Sequence, residues 1–369
     1  MKLPHFKIPN FRIPGIGSVL GGHELLGVDI GTTSIKAAEI RAGVNDQLTV
    51  TNYALLETFG YLERPNGALQ ASGLTLLESE TARYLKILLA HSKFKTTQAM
   101  ASLPSFSAFT TLLEIPAMAD SEIGKIMTLQ AKQYIPLPIS QVTIDWQKVG
   151  ERTDEHGLKK YQILLISVVN EQLARYQKIF EAAGLKLVAL EVEGISLARA
   201  LTRGVNEPAL IVDIGSRSTG IAVAERGSFK FGGQTDFSGG SITQTIATSL
   251  NINIRRAEDL KKQKGLSGYG GDQELSTLME PILDVIINEA RRIKRNYETS
   301  YGGVVNQVIL SGGGSNLVGI EKYFADQIAL PVSKANPFEG LAVTPEIQSI
   351  LKDLGPLLAV AVGLAIKPD

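Results

Sequence analysis

One short phrase occurs twice in this chain. Leu26-Gly27-Val28-Asp29-Ile30-Gly31-Thr32-Thr33-Ser34 is echoed by Leu210-Ile211-Val212-Asp213-Ile214-Gly215-Ser216-Arg217-Ser218. Each copy is an apolar run of strand length that closes on Asp-x-Gly and turns back through small polar residues. An aspartate at the end of a strand can hold a hydrated Mg2+ through water. The glycine lets backbone approach a phosphate, and the following residues offer N–H and O–H donors. Two such hairpins, one in each half of the chain, can grip one nucleoside triphosphate from both sides.

The rest of the sequence must build a frame for that pair. At 369 residues it can form two compact halves or one domain with insertions. Net charge is zero, which argues against a nucleic-acid partner. The absence of cysteine excludes disulfides and thiolate chemistry, and the four histidines have no ligand spacing. The longest apolar run, 355–366, is too short at about a dozen residues to cross a bilayer. The N-terminus has no signal-peptide core, so the expected location is cytoplasmic.

Along the chain, residues 1–22 repeat a basic-apolar-proline pattern that cannot be helical and reads as a flexible or docked extension. Strands are expected at 25–30, 34–42, 48–57 and 98–103, with a helix at 78–94. A strand–helix–strand–strand–helix module follows: strand 110–115, helix 121–134 capped by Asp120 or Ser121, strand 143–149, a charged hairpin loop 151–160, strand 161–169, and helix 170–183 closed by Gly184. After a short helix at 193–203, Asn206-Glu207-Pro208 opens the second half. There the pattern predicts strands 209–214, 220–224 and 229–234, helices 239–250, 255–264 and 275–299, a flexible glycine loop 265–271, strand 308–310 and helix 317–327. Both halves therefore open with the same strand–turn–strand device, a duplication of architecture more than of residues.

Four groups of residues carry candidate chemistry. In hairpin one, Asp29 would order Mg2+-bound water, Gly31, Thr32, Thr33 and Ser34 would wrap phosphate oxygens, and Lys36 would reach them as a point charge. Hairpin two would supply the opposite wall through Asp213, Gly215, Ser216 and Ser218. Its Arg217 either adds a cation for phosphate or points to solvent. The strand ending in Ser311-Gly312-Gly313-Gly314, with Asn316 beyond it, would lie against a base and α-phosphate at a helix N-terminus. Glu258 and Lys261 share one helix face and could bracket a ribose and base. Neither a Walker A loop nor a Gly-x-Gly-x-x-Gly turn is present.

This set, in this order, resembles the actin-like ATPase superfamily (actin, Hsp70, sugar kinases) over residues 24–366. The resemblance implies an α/β fold of two duplicated halves around a nucleotide cleft, with two connecting helices. The first corresponds to 191–200, where Glu193 would position an attacking water and, with Asp213, act in catalysis; the second corresponds to 357–364. The inserted module is similar to the 1C (SHS2) insertion of FtsA and of the PilM family of type IV pilus assembly proteins. Phrases such as Pro116-Ala117-Met118-Ala119-Asp120-Ser121-Glu122, Gln133-Tyr134-Ile135-Pro136-Leu137-Pro138 and Leu190-Glu191-Val192-Glu193 are similar to PilM in particular. No counterpart of the FtsA membrane helix is expected beyond the second connecting helix, an expectation that favours PilM.

The implied organisation is an extension 1–22, subdomain 1A at 23–108, subdomain 1C at 109–184, a return to 1A at 185–206, subdomains 2A and 2B at 207–340, and a last return at 341–369. The implied function is an ATP- and Mg2+-binding scaffold of the type IV pilus, or of a related type II secretion platform. Its expected partners are the cytoplasmic N-terminal peptide of a PilN-like inner-membrane protein, which would hold it at the membrane, and pilus motor and platform components. Self-association is left open, and hydrolysis is expected to be slow or conditional. An FtsA-like division filament protein and a small-molecule kinase of the same superfamily are the alternatives.

Overall fold

The computed structural model describes residues 24–43, 47–58, 78–153, 155–266, 271–348 and 351–366. The expected extension 1–22 and most of the expected glycine loop lie outside the described residues.

The first sheet grows from β1 (Glu24–Ile30) and β2 (Ser34–Ala42), an antiparallel hairpin in which Asp29 pairs with Lys36 and Ile30 with Ile35. β3 (Leu48–Glu57) extends it. Helix α1 (Glu78–Ser92) then leads to β4 (Gln98–Leu103), which lies parallel to β1 on its other side. Buried on both faces, β1 reads as an unbroken apolar run, as expected for a central strand with a parallel neighbour.

The chain leaves this sheet after β4 and builds a separate one from β5 (Ala108–Pro116), α2 (Asp120–Tyr134), β6 (Val142–Thr153) and β7 (Lys159–Val169), in the order β5-β7-β6. One face of that sheet packs on α2 through Leu113, Ile115, Ile123, Met127 and Leu165. The alternate residues Leu112, Leu164 and Ile166 join the core of the first sheet. Two local expectations differ here. The cap of α2 is Ala119, whose extended backbone lets its carbonyl accept from Glu122 and Ile123, with no side-chain cap. The strands run into both ends of the expected charged loop 151–160, with Thr153 paired to Lys159. Its charges are paired within the sheet: Glu151 lies 2.6 Å from Lys148 of the same strand, whose ammonium lies 3.6 Å from the Tyr161 ring centroid on β7, and Arg152 lies 3.5 Å from Glu114 of β5.

Helix α3 (Asn170–Ala183) ends at Gly184 with φ 82. It packs with the first core through Leu173, Tyr176, Ile179 and Phe180, so the helix counted with the inserted module is the crossover between β4 and the parallel strand β8 (Lys186–Val192). The sequence reading did not assign that strand. The first connecting helix, α4 (Glu193–Thr202), starts two residues later than the expected 191 because Glu191 belongs to β8.

The second half repeats the plan with β9 (Ala209–Ile214), β10 (Thr219–Glu225), β11 (Ser228–Thr235), α5 (Gly239–Leu250), α6 (Ile254–Lys264), α7 (Gly271–Tyr301), β12 (Gln307–Ser311), α8 (Ile320–Ile328) and β13 (Val332–Lys334). Its order, β11-β10-β9-β12-β13, matches β3-β2-β1-β4-β8 position for position. The chain then returns to the first sheet through β14 (Ala342–Val343), α9 (Pro345–Gln348) and α10 (Leu351–Ala365). The expected second connecting helix lies within α10, whose small residues seat it against both β1 and α4. A Cβ on Gly27 would fall 1.9 Å from the Ala361 carbonyl, and one on Gly363 would fall 2.0 Å from that of Ser196. A buried ion pair braces the crossing: Arg199 bonds both carboxylate oxygens of Glu191 and donates to the Gly363 carbonyl at 2.7 Å.

Candidate functional site

The two hairpins bring their aspartates together at the C-terminal ends of the central strands. In hairpin one Asp29 is 5% exposed; it accepts from the Ser102 hydroxyl at 2.8 Å and from the Lys36 ammonium at 3.0 Å. Ser102 comes from β4, parallel to β1. In hairpin two the equivalent neighbour is Ser311 of β12, which pairs with Asp213. Sequence reasoning did not count these serines among the site residues. Both sit at the end of the parallel strand beside a duplicated aspartate, a neighbourhood set by strand pairing.

The electrostatics describe one cluster. Burial pushes the Asp213 carboxyl up to about 6, with Asp29 adding repulsion while Ser311 and Lys36 oppose it. Glu193, at the first position of α4, is held well above the usual carboxylate range by burial and then by Asp29 and Asp213; Lys36 and the Ser105 backbone N–H counter this. Burial works against the charge of Lys36, but Asp29, with help from Asp213 and Glu193, keeps its pKa above the ordinary value. Three carboxylates thus crowd around one lysine, and two of them stand ready to hold a proton. Glu193 and Asp213 also line a cavity of about 220 Å³ between β5, α4, β10 and β11. The Gln234 amide oxygen in its wall is buried without a hydrogen-bond partner. Such a donor-hungry oxygen suits ordered water.

Around the carboxylates the turns are tight. Gly31 N–H donates to the Ser34 carbonyl at 3.0 Å, and Gly215 N–H to that of Ser218 at 3.0 Å, so the two hairpins close with the same bond. Gly31, Thr32 and Thr33 are partly exposed, as are Gly215, Ser216, Arg217 and Ser218, while Ser34 is buried. The start of α5 is clamped onto hairpin two: Gly239 N–H donates to the Gly215 carbonyl at 2.9 Å, and Gly240 N–H to the Ser216 carbonyl at 3.0 Å. A Cβ on Gly240 would lie 2.2 Å from that oxygen, so only glycine permits the approach. The Ser238–Gly240 turn is a second omission of the sequence reading.

Arg217 is partly exposed. Its guanidinium lies over the Phe106 ring, 4.7 Å from the centroid. Glu258 and Lys261 pair at 2.7 Å, and Lys261 also donates to the Gly239 carbonyl at 2.9 Å and to the Thr243 hydroxyl at 2.8 Å. Their mutual attraction, opposed by burial, lowers the Glu258 pKa; for Lys261 burial dominates and lowers it. The pair locks α6 to the start of α5.

The glycine turn reaches the same place, because a Cβ on Gly239 would meet the Lys261 ammonium at 3.6 Å and Gly314 Cα at 4.0 Å. Gly312 has φ 77, and Gly312 and Gly314 pack on Ile214 too closely for any side chain, whereas Gly313 has ordinary space. A 3-10 turn over Gly313–Asn316 follows, and α8 begins only at Ile320. The expected helix at 317 therefore does not start at the glycines, and its N-terminus does not face the cleft from there. Asn316 turns away to donate to the Asp353 carbonyl at 3.3 Å.

No group of three or more His, Cys, Asp or Glu side chains placed to ligate a metal directly occurs among the described residues. A cation at Asp29 and Asp213 would be held through water.

Comparison with known proteins places this geometry. The family model described as type IV pilus assembly protein PilM matches residues 27–368. Among curated proteins, the chain is 22% identical to the cell division protein FtsA of Pseudomonas aeruginosa over 95% of this chain and 90% of that protein. It is 23% identical to FtsA of Staphylococcus epidermidis over 53% of this chain, a match that spans only 46% of that relative's length. Among solved structures, a chain of a PilM-PilN type IV pilus biogenesis complex superimposes with a TM-score of 0.75 at 24% identity, covering 93% of this chain and 97% of that one. MreB5 of Spiroplasma citri bound to AMPPNP superimposes with a TM-score of 0.50 at 15% identity, covering 92% and 94%. The chain belongs to the PilM family of type IV pilus assembly proteins and has the actin-like ATPase fold.

Proposed function

We propose that the chain binds ATP with Mg2+ between its two hairpins and, as a scaffold at the cytoplasmic face of the inner membrane, holds the N-terminal peptide of a PilN-like protein. The observation that carries the nucleotide half is the carboxylate cluster. Asp29, Asp213 and Glu193 repel one another with one lysine between them, and a divalent cation relieves that repulsion. When bound, Mg2+ neutralises phosphate charge. Asp29 and Asp213 orient its water shell, and Gly31–Ser34 and Gly215–Ser218 offer backbone and hydroxyl donors to phosphate oxygens. The Gly239–Lys261–Gly314 meeting point walls the adenosine side. Glu193, with its raised proton affinity, orients or deprotonates water in the adjoining cavity, so turnover is slow or conditional. The same fold holds AMPPNP in the MreB5 structure.

The partner half of the reading draws on the likeness to the PilM-PilN complex. The inserted sheet is read as an SHS2-type 1C module, and the apolar surface at Tyr134 and Leu137, each more than two-fifths exposed, suits an extended peptide. Among the described residues no helix is long and apolar enough to cross a membrane, so attachment runs through the partner.

Calorimetry with Mg-ATP tests the reading. The full chain binds, whereas a variant carrying Asp29→Ala and Asp213→Ala loses at least about 100-fold in affinity, the scale of two lost charge-assisted contacts. Equal binding by that variant removes the nucleotide site. A synthetic partner N-terminal peptide that binds with and without Mg-ATP at the same affinity removes the link between the two sites.

A further inference from the structure

The root of the inserted sheet touches the nucleotide cleft at three points. Between β4 and β5 the chain makes a single 3-10 turn, Ser105–Ser107. Ser105 and Glu193 line the same cavity, and the Ser105 backbone N–H counters the rise in the Glu193 pKa. The Ser105 hydroxyl sits against Gly220 of β10, where a Cβ would lie 3.5 Å away. Phe106, 43% exposed, carries the Arg217 guanidinium on its ring. Farther along, Lys230 of β11 donates to the Val149 carbonyl of β6. The inserted sheet is therefore fastened to the second half at its root and along β6.

Charge balance gives Arg217 a second place to be. Hairpin two, residues 209–225, contains one basic residue, Arg217. In hairpin one, Lys36 is already paired with Asp29 at 3.0 Å. A triphosphate entering beside Asp29, Asp213 and Glu193 meets a surplus of negative charge, and Arg217 is the cation of hairpin two that can offset it. A guanidinium on an exposed ring is held weakly enough to be drawn off by a phosphate, to which it binds bidentately.

We propose that Arg217 is a nucleotide sensor that exchanges between Phe106 and the terminal phosphate of a bound nucleoside triphosphate, releasing or clamping the root of the inserted sheet as it does so. This rests on the nucleotide reading above and adds its route of communication: the module read as partner-binding is governed by whether Arg217 is on the ring or on the phosphate.

The chain's one tryptophan, Trp146, lies on β6 and reports on the inserted sheet. Calorimetry with unlabelled Mg-ATP and Mg-ADP measures affinity, and selective Trp146 emission measured in the same titrations follows the module. In the wild-type chain Trp146 responds to ATP with the midpoint of binding and responds less to ADP. Phe106→Ala removes the competing ring, so ATP binds about two- to five-fold tighter and the Trp146 response is lost. Arg217→Ala weakens ATP by about 10-fold, erases the preference of ATP over ADP, and also silences Trp146. Phe106→Leu, which keeps the apolar contact and loses the cation–π attraction, behaves as Phe106→Ala and guards against a folding artefact.

If wild-type chain binds ATP while Trp146 is silent, or if both Phe106 variants bind and respond as wild type does, the sensor is overturned and the nucleotide reading stands. If wild-type chain binds no nucleotide, both fall.

Discussion

Replacing Asp213 with asparagine should make the protein more stable at neutral pH while weakening Mg-ATP binding about 10-fold. The Asp213 carboxyl has an ordinary value of 3.8 and is pushed up to about 6 in the fold. Between those values the unfolded chain has released the proton and the folded chain retains it. Stability therefore falls as pH rises through that window, and the loss is complete above pH 6. A shift of about 2 pH units at 1.36 kcal/mol each gives a cost of about 3 kcal/mol at most. Asparagine keeps the shape and a hydrogen-bonding oxygen but carries no charge, so it removes this cost. It also removes one source of repulsion on Glu193.

The assay is urea unfolding by far-UV circular dichroism at pH 4, 6 and 8, for wild type and Asp213→Asn. The difference between the two curves isolates the site from the other titrating groups. It should be near zero at pH 4, where both side chains are neutral, and grow to between about 1 and 3 kcal/mol in favour of the variant at pH 8. Curves that stay parallel from pH 4 to 8, or a difference that turns against the variant as pH rises, would refute the argument that this carboxylate is held at a cost for the sake of the site.

Three further outcomes follow from the packing. Arg199→Met leaves Glu191 buried without its partner and should cost about 3–5 kcal/mol in the same unfolding assay. Gly363→Ala drives a methyl into the Ser196 carbonyl, with no flexible side chain to yield. It should lower stability by at least about 1–3 kcal/mol and reduce the thermal midpoint. Lys261→Met takes the nearer cation from Glu258, which keeps Lys262 and the Thr243 hydroxyl, and loosens the start of α5 where it clamps hairpin two, so calorimetric ATP affinity should fall about 10-fold while overall secondary structure by circular dichroism is retained.

Much of the local structure was legible in the residues. The strands 34–42, 48–57, 98–103 and 209–214 and the helices 170–183 and 239–250 carry their signals within their own length: alternating or continuous apolar runs and a Gly184 stop. β8 was not legible in the same way. Its sequence, Lys186–Val192, is an apolar stretch between helices, and only its pairing with β4, far back in the chain, makes it a strand. The charged hairpin 151–160 misled for a related reason: pairing between β6 and β7 runs on into it as far as Thr153 and Lys159, and Arg152 reaches Glu114 on β5.

The candidate site divides along the same line. The duplicated Asp-x-Gly phrases, the three glycines and the Glu258–Lys261 face were visible as spacing. Ser102, the Ser238–Gly240 clamp and the ring beneath Arg217 were not, since each is defined by a contact across the fold. The Ser102–Asp29 hydrogen bond joins residues 73 positions apart.

The sequence by itself determined that this chain would repeat a strand–turn–strand device twice and place an aspartate at the end of each central strand, because hairpin pairing and strand burial are set by near neighbours. Only the tertiary structure decided that the two aspartates and Glu193 would share one lysine, that α3 belongs to the first sheet, and that Arg217 would rest on the root of the inserted module. Those depend on how α4 and α10 cross and on which strands meet, distances that no local pattern of residues contains.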